Sequence, residues 1–451
     1  MPLNFKGFSK CIMHKWLSYV YYGMGLEELL EISRRALKSY PLCDRCLGRL
    51  YARLGYGWDN VERGSAIKIM LVMKYHQAIE MGDVGARDEF LEMAPRIGVR
   101  ASGLYRRLTG SDLSPAPCSM CGGSLDLFIE EISRQAADLL RSWDISRFLV
   151  GAVVEEPIKS IEAEVIRASG SIYSEELKDE ISREIGKKIE ALGEFTADLR
   201  DPEATIVVRY PSGGIDIEVR SILIKARYWK KWRMISQSTI LKNGSPKYFS
   251  IQEASKPLAN LFRGSEVVVH AFGREDIDAR MLGTGRGAVI EVRSPRRRRV
   301  SLEDVQEALN SYRDLVEFKV EGWSNRGEVR INKRRSSTAR KIYRILVLVS
   351  RELREEDIQR LEEELRNRSI KQRTPTRALH RRRDIERIKQ VYRIKCAKIA
   401  ENLLECLVEA SGGLYIKELV SSDSGRTKPS FAEILGTEAI CIELDVVWTE
   451  L

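Results

Sequence analysis

The chain has 451 residues, 43% of them hydrophobic and 31% charged, which suits a soluble, charge-rich protein long enough for two or three domains. Lys and Arg outnumber Asp and Glu by 75 to 65, and the net charge of +10 favours a polyanionic partner, nucleic acid first. No apolar run approaches the roughly twenty residues of a bilayer-spanning helix, so no membrane partner is expected. The basic, aromatic start "MPLNFKGFSKCIMHKWLSYVYYGMG" lacks a cleavable signal; residues 1–24 are expected to be an extension, with Met24 an alternative start and a cytoplasmic location.

From Leu26 to Tyr40, "LEELLEISRRALKSY" has helical spacing of its apolar residues. Two C-x-x-C pairs follow, Cys43 with Cys46 and Cys118 with Cys121. A two-residue gap lets two thiolates on one turn reach the same ion, so the two pairs together read as a tetrahedral structural zinc site; a redox role for one pair is the alternative. The other four of the eight cysteines, Cys11, Cys396, Cys406 and Cys441, read as core or surface thiols. Residues 25–125 are thus expected to form a zinc-binding helical module.

Further on, Leu177, Ile181, Ile185, Ile189 and Leu192 fall on one helical stripe, and "TIVVRYPSGGIDIEVRSILI" reads as strands around a turn. In "KARYWKKWRMISQS", cations including Arg227 and Lys230 interleave with Tyr228, Trp229 and Trp232. Aromatic faces between cations suit base stacking and phosphate contact, and an amphipathic sheet edge fits equally well. Beyond residue 246, "SEVVVHAFG", "AVIEVRS", "EVRIN", "YRILVLVS" and "AICIELDVVW" are strand-like. "SLEDVQEALNSY", "EEDIQRLEEELRNR", "RDIERIKQVY" and "KIAENLLECLVEAS" are helix-like, giving an α+β fold. "SPRRRRV" and "QRTPTRALHRRRD" are the densest basic stretches.

"GREDIDARMLGTGR", residues 273–286, sets Asp276 and Asp278 among arginines. The arginines oppose a metal site there, and His270 on the preceding strand is more simply a core residue. Gly283, Gly285 and Gly287 form G-x-G-x-G, but a strand follows rather than the helix that a nucleotide-binding loop opens. A surface pair between Arg274 and Asp276, or a nucleophilic aspartate, remain.

Three short motifs resemble those of pseudouridine synthases. The strand leading into Gly-Arg-x-Asp is similar to their catalytic motif, which implies Asp276 rather than Asp278 as the nucleophile. "KIYRILV" resembles the second motif, implying that Tyr343 stacks on the target base, and "SGGLYIKELV" resembles the third, implying Tyr415 as a substrate contact and Lys417 as the cation beside the carboxylate. The segment ending in "RYWKKWRMISQS" resembles a THUMP domain, an RNA-binding module of tRNA-modifying enzymes. With "GREDIDARMLGTGRG", "QRTPTRALHRR", "SDSGRTKPS" and the paired cysteines, the chain from about Leu26 onward resembles the archaeal and eukaryotic tRNA pseudouridine synthases that modify uridines 54 and 55 of the T-loop.

That resemblance implies a THUMP-like domain at 126–245 and a catalytic domain with a mixed, largely antiparallel sheet at 246–451. It implies the tRNA T-arm as partner, no obligate protein partner and no organic cofactor. The reaction needs an ionised carboxylate, a cation to keep it so (Lys417 or Arg274), an aromatic platform and a flipped base. Arg280, Arg286, Arg373, Arg377 and Arg381 are candidate phosphate contacts, or else parts of a solvated basic face. The rivals are a non-catalytic THUMP-type RNA-binding protein and another THUMP-bearing enzyme, such as a methyltransferase or thiolase.

Overall fold

The structure, a computed structural model, describes residues 25–450 apart from 243, 337 and 381, so the expected extension at 1–24, Cys11 and Arg381 lie outside the described residues. The chain divides into two compact units, the first ending at Glu218 and the second beginning at Val219.

The first unit runs through α1 (Leu26–Ser39), α2 (Asp44–Arg49), α3 (Asn60–Glu80), α4 (Val84–Ile97), α5 (Ser102–Thr109) and α6 (Leu125–Ser142). It continues through β1 (Arg147–Val154), α7 (Ile158–Ser169), α8 (Leu177–Glu190), β2 (Thr196–Ala197), β3 (Ala204–Tyr210) and β4 (Ile215–Val219). The sheet order is β2-β1-β3-β4, and β1 is parallel to both its neighbours, so α7 and α8 serve as the crossover. On α8, Leu177, Ile181, Ile185 and Ile189 are buried as the stripe requires, whereas Leu192 lies past the helix end and is exposed. The cysteine module is not a separate domain. Arg49 on α2 is buried, with its guanidinium 3.0 Å from Glu180 on α8 and 3.6 Å from Glu162 on α7. Asn60 donates to Glu180 as well, at 2.8 Å. A buried charge cluster of this kind persists only when every member is paired, so it ties residues 25–125 and 126–218 into one body.

The second unit begins with β5 (Ile222–Lys230), the short pair β6 (Leu241–Lys242) and β7 (Ser245–Pro246), α9 (Ile251–Ala254), α10 (Pro257–Phe262), β8 (Glu266–Ala271) and β9 (Arg280–Arg293). Then come α11 (Leu302–Leu309), β10 (Val316–Trp323), α12 (Arg326–Arg335), β11 (Lys341–Val349), α13 (Glu355–Leu365) and β12 (Arg368–Arg373). Last are β13 (Glu386–Ala400), β14 (Leu403–Ala410), α14 (Ile416–Ser421), β15 (Thr427–Lys428), α15 (Phe431–Leu435) and β16 (Ala439–Thr449). They build a ten-stranded sheet ordered β10-β5-β9-β16-β11-β14-β13-β12-β15, with β8 also beside β9. Every pairing in it is antiparallel except β9 with β16. The fold is therefore the mixed, largely antiparallel α+β arrangement expected. Ile345 and Val347 of β11, Val408 of β14 and Val446 of β16 share one core with Ile358, Leu361 and Leu365 of α13.

Several expectations are corrected here. Strand β5, which carries Arg227 to Lys230, is hydrogen-bonded between β9 and β10, so the boundary expected at 245/246 falls at 218/219. "RDIERIKQVY" and "KIAENLLECLVEAS" are not helices but contribute to the β13–β14 hairpin, where a bulge at 391–393 leaves Val391 and Ile394, three residues apart, both buried. Cys396 and Cys406, read as thiols, face each other across that hairpin and form a disulfide, while Cys441 is free. "EVRIN" lies in α12 rather than a strand; Asn325 caps it by accepting from the Glu328 amide, which outweighs a short alternation of Val329 and Ile331. Among the described residues, no helix is long and apolar enough to cross a membrane.

Candidate active site

Strand β9 changes neighbours along its length. Residues 288–293 pair with β8, whereas Arg280 and Met281 pair with β16. The segment 272–279, which joins β8 to β9, occupies the resulting fork. Gly283 and Gly285 permit the crossing: both have positive φ (+53° and +69°), a Cβ at 283 would fall on the Val447 carbonyl, and one at 285 would come within 2.7 Å of the Trp229 ring. The glycine spacing thus serves strand geometry, not a donor-binding loop.

Beneath the fork lies a buried polar cushion. Glu275 accepts from the Tyr228 hydroxyl at 3.1 Å and from Gln237 Nε2 at 3.3 Å. Arg286 Nε lies 2.9 Å from Glu275 Oε2, close in distance but off the N–H direction, and Arg286 Nη1 donates to the Phe272 carbonyl at 3.0 Å. Gln237 also donates to the Gly273 carbonyl at 2.9 Å. Lys230 is 0% exposed, and its ammonium donates to the carbonyls of Asp276 (3.0 Å), Ile277 (3.1 Å) and Ile235 (3.0 Å). Arg233 donates to the Asp278 and Leu444 carbonyls, both at 2.9 Å, and so ties the loop to β16.

Above the fork, the Asp276 carboxylate is half-exposed and accepts from Arg377 Nη2 at 3.0 Å and Nη1 at 3.3 Å. Arg377 also donates through Nε to Glu418, at 2.6 Å. Burial works against the Arg377 cation, and the Glu418 and Asp276 carboxylates outweigh it. Lys417 is bonded to Asp278 and stands 4.0 Å from Asp276 Oδ2. Burial works against Asp278 as an anion, but Lys417 holds its pKa below the usual carboxylate value. Tyr343 on β11 is buried in the same neighbourhood; burial pushes its phenol up to about 12, Arg286 opposes, and the Asp276 charge adds to the rise.

The expected site residues meet different fates. Asp276 and Lys417 come together, with Tyr343 near enough to feel the Asp276 charge, but the cation directly on Asp276 is Arg377, expected as a phosphate contact. Tyr415 caps α14 and exchanges backbone hydrogen bonds with the Gln372 side chain, while its hydroxyl accepts from Arg382 at 2.8 Å. Arg274 is exposed and has no ion pair among the described residues, so the surface pair with Asp276 does not form. Lys230 and Arg286 are corrected: both are buried beneath the loop, out of reach of a phosphate. Arg280 makes a bidentate pair with Asp445 (2.9 and 2.6 Å), Arg373 pairs with Asp384 at 2.9 Å, and Arg227 reaches Glu321 and the carbonyls of Thr284 and Gly285. Glu275, Arg233, Gln237 and Glu418 join the site without any local motif to mark them in the sequence.

The cushion makes a prediction about pH. Burial pulls Lys230 down to about 8, so a proton shared among three carbonyls is lost as pH rises through that value. Its folded value lies below the roughly 10.4 of an unfolded lysine, so between these limits the unfolded chain binds more protons and this lysine adds to global stability as pH rises. Loop order should nonetheless fall. We expect activity to decline above pH about 8 with no drop in thermal midpoint attributable to Lys230, and a Lys230→Met variant to be weak at neutral pH without that decline. Burial also lowers Lys341 to about 8, so Lys341→Met is the control; a Lys230→Met profile identical to wild type would rule the role out.

In the first unit, the four cysteine sulfurs all lie within 4.8 Å of one another, with Cys121 Sγ 3.6 Å from both Cys43 and Cys46. A tetrahedral ion with Zn–S bonds of about 2.3 Å sets sulfurs about 3.8 Å apart, so this donor set fits a metal ion. Cys43 caps α2, and the Cys118–Cys121 turn is docked by the Ser119 amide on the Pro41 carbonyl at 2.8 Å.

Residues 223–450 match the family model described as Pus10, C-terminal, and residues 132–209 match the archaeal Pus10 THUMP domain, which defines a THUMP-bearing enzyme of the pseudouridine synthase class. The THUMP match ends before "RYWKKW", in agreement with the place of β5 in the larger sheet. The tRNA pseudouridine synthase Pus10 of Aeropyrum pernix is 49% identical over 425 residues, 94% of this chain and 97% of that one. That of Ignisphaera aggregans is 40% identical over 93% of this chain and 98% of that one. The chain belongs to the Pus10 family of tRNA pseudouridine synthases, which are isomerases.

Proposed function

We propose that the chain converts uridine 54, uridine 55 or both in the T-loop of tRNA to pseudouridine, with Asp276 as nucleophile and the target base flipped from its stack. The reaction breaks the N1–C1′ bond, turns the base and joins C5 to C1′, so it needs no redox partner or group donor. What it needs is a carboxylate that stays ionised against a partly desolvated substrate. Arg377 supplies the charge, and because it occupies both Asp276 oxygens, one must be released before attack at C1′ or C6. Glu418 offers Arg377 a second anchor, and Lys417 is close enough to take over at the freed carboxylate. Tyr343 would then stack on the everted uracil. The observation that carries this reading is the meeting of Asp276, Arg377 and Lys417, from three distant segments, at the fork of the sheet. Its test is incubation of the protein with unmodified tRNA, without cofactor, followed by mapping of pseudouridine. Product in the T-loop is expected; none, or product only elsewhere, would overturn it.

The four cysteines are assigned a structural zinc ion, held by Cys43, Cys46, Cys118 and Cys121, which staples α2 to the turn before α6. Chelation, or Cys118→Ser, should lower the thermal midpoint of the first unit by about 10 °C or more. tRNA affinity should fall with it, more than turnover of bound tRNA. Turnover lost at unchanged midpoint and unchanged tRNA binding would contradict a structural role.

A further inference from the structure

The chain leaves α14, the helix of Lys417 and Glu418, in an unusual backbone conformation. Ser422, Asp423 and Ser424 have φ of +69°, +50° and +56°, and Gly425 has +84°. Four consecutive residues are therefore left-handed, although only the last of them lacks the Cβ that makes this region costly. The other positive-φ residues that are not glycine, such as Asp144 and Asn367, occur singly among the described residues. The loop closes on itself: the Thr427 amide donates to the Ser422 carbonyl at 3.0 Å, and the Gly425 amide to Ser422 Oγ at 3.2 Å. Neither bond uses the Asp423 side chain. Backbone strain of this kind persists where the surrounding structure imposes it, so its cause lies in what the loop touches.

Asp423 is half-buried, and its Oδ2 accepts from the Thr376 amide at 2.8 Å. Thr376 opens the short turn Thr376–Ala378, and the residue before it is Pro375, which offers no side-chain cap. Asp423 thus supplies, from 47 residues along the chain, the acceptor that the local sequence lacks. The next residue of the turn is Arg377, whose guanidinium lies on Asp276 and Glu418. Arg426 completes the tether. Its Nη2 donates to the Thr374 carbonyl at 2.8 Å, and its own carbonyl accepts from the Arg373 amide at 2.9 Å. The turn that carries Arg377 is therefore fixed to the loop that ends α14, so Arg377 and Lys417 approach Asp276 from one shared mount.

We propose that Asp423 is a positioning residue for the reaction at Asp276: by capping the 376–378 turn it sets where the Arg377 guanidinium stands, and the left-handed backbone at 422–424 aims it there. This rests on the reading of Asp276 as the nucleophile and gives the "SDSGRTKPS" segment a role in that site. Asp423 meets Asp276 only through Arg377. Its loss should therefore slow the conversion of bound tRNA and leave the affinity for tRNA alone.

The test uses the full chain and unmodified tRNA, with single-turnover rates on saturating enzyme and the tRNA Kd read separately. Asp423→Gly suits the left-handed backbone and removes only the acceptor, so the rate should fall about 10- to 100-fold at an unchanged Kd. Asp423→Asn keeps an acceptor for the Thr376 amide and tolerates the same backbone, so it should stay near wild type. In an Arg377→Ala background, Asp423→Gly should cost nothing further, because both changes act through one guanidinium. Hydrogen exchange at the Thr376 amide reads the cap without turnover: faster in Asp423→Gly, protected in Asp423→Asn. A wild-type rate in Asp423→Gly, a loss shared by Asp423→Asn, losses that multiply with Arg377→Ala, or unchanged exchange would each overturn the proposal. Failure of the functional reading is separate, since wild-type protein would then form no pseudouridine while the exchange measurement still reads the cap.

Discussion

Replacing Asp276 with asparagine should abolish pseudouridine formation, by on the order of 10⁴-fold or more, while leaving tRNA bound. The substitution keeps the shape of the side chain and removes the oxygen proposed as the nucleophile, and Arg377 retains Glu418 as a partner, so no cation is left stranded. Asp278→Asn is the informative contrast. It frees Lys417, now bonded to Asp278, to move the short distance to Asp276, so activity should survive at a substantial fraction of wild type. Single-turnover assays on saturating enzyme read both effects without confusion from affinity. If Asp276→Asn remains active and Asp278→Asn does not, the nucleophile has been placed two residues out of register.

The aspartate was legible because its motif is contiguous: a strand, then Gly-Arg-x-Asp, all within one short stretch. Its partners were not. Arg377 comes from 101 residues beyond Asp276 and Lys417 from 139 residues beyond Asp278, and nothing local says which carboxylate each will meet. Lys230 looked like an exposed cation in a basic aromatic run, yet a clue was present. In β5, Ala226, Tyr228 and Lys230 share one face at the strand period of two, and Tyr228 is core. Strand β13 misleads because a bulge at 391–393 puts Val391 and Ile394, three residues apart, in the core, whereas β14 carries the period-two signal in Leu404, Cys406, Val408 and Ala410. The domain boundary failed for a related reason. A strand following a turn reads as part of the preceding sheet, and β5 pairs instead with strands that come tens of residues later. The cysteine pairs, by contrast, announced their cluster through spacing alone.

The second large effect should come from a residue that never meets the substrate. Glu275→Ala is expected to cost about 3–5 kcal/mol of stability in the second unit, because it leaves the Arg286 cation buried without a counter-charge. Burial opposes that cation, and Glu275 is what outweighs it. Arg286 has little room to escape to water, being 1% exposed and held by the Phe272 carbonyl at 3.0 Å. The Tyr228 hydroxyl would lose its acceptor in the same step, whereas the Gln237 amide keeps the Gly273 carbonyl. Denaturant unfolding should show the loss, and a Glu275→Gln/Arg286→Met double variant should recover part of it, since removing both charges removes the uncompensated one. Activity should not return with stability in the double variant, because Arg286 also fixes the Phe272 carbonyl at the start of the loop that carries Asp276. A single variant as stable as wild type would mean that Arg286 finds another partner and that the cushion does not hold the loop.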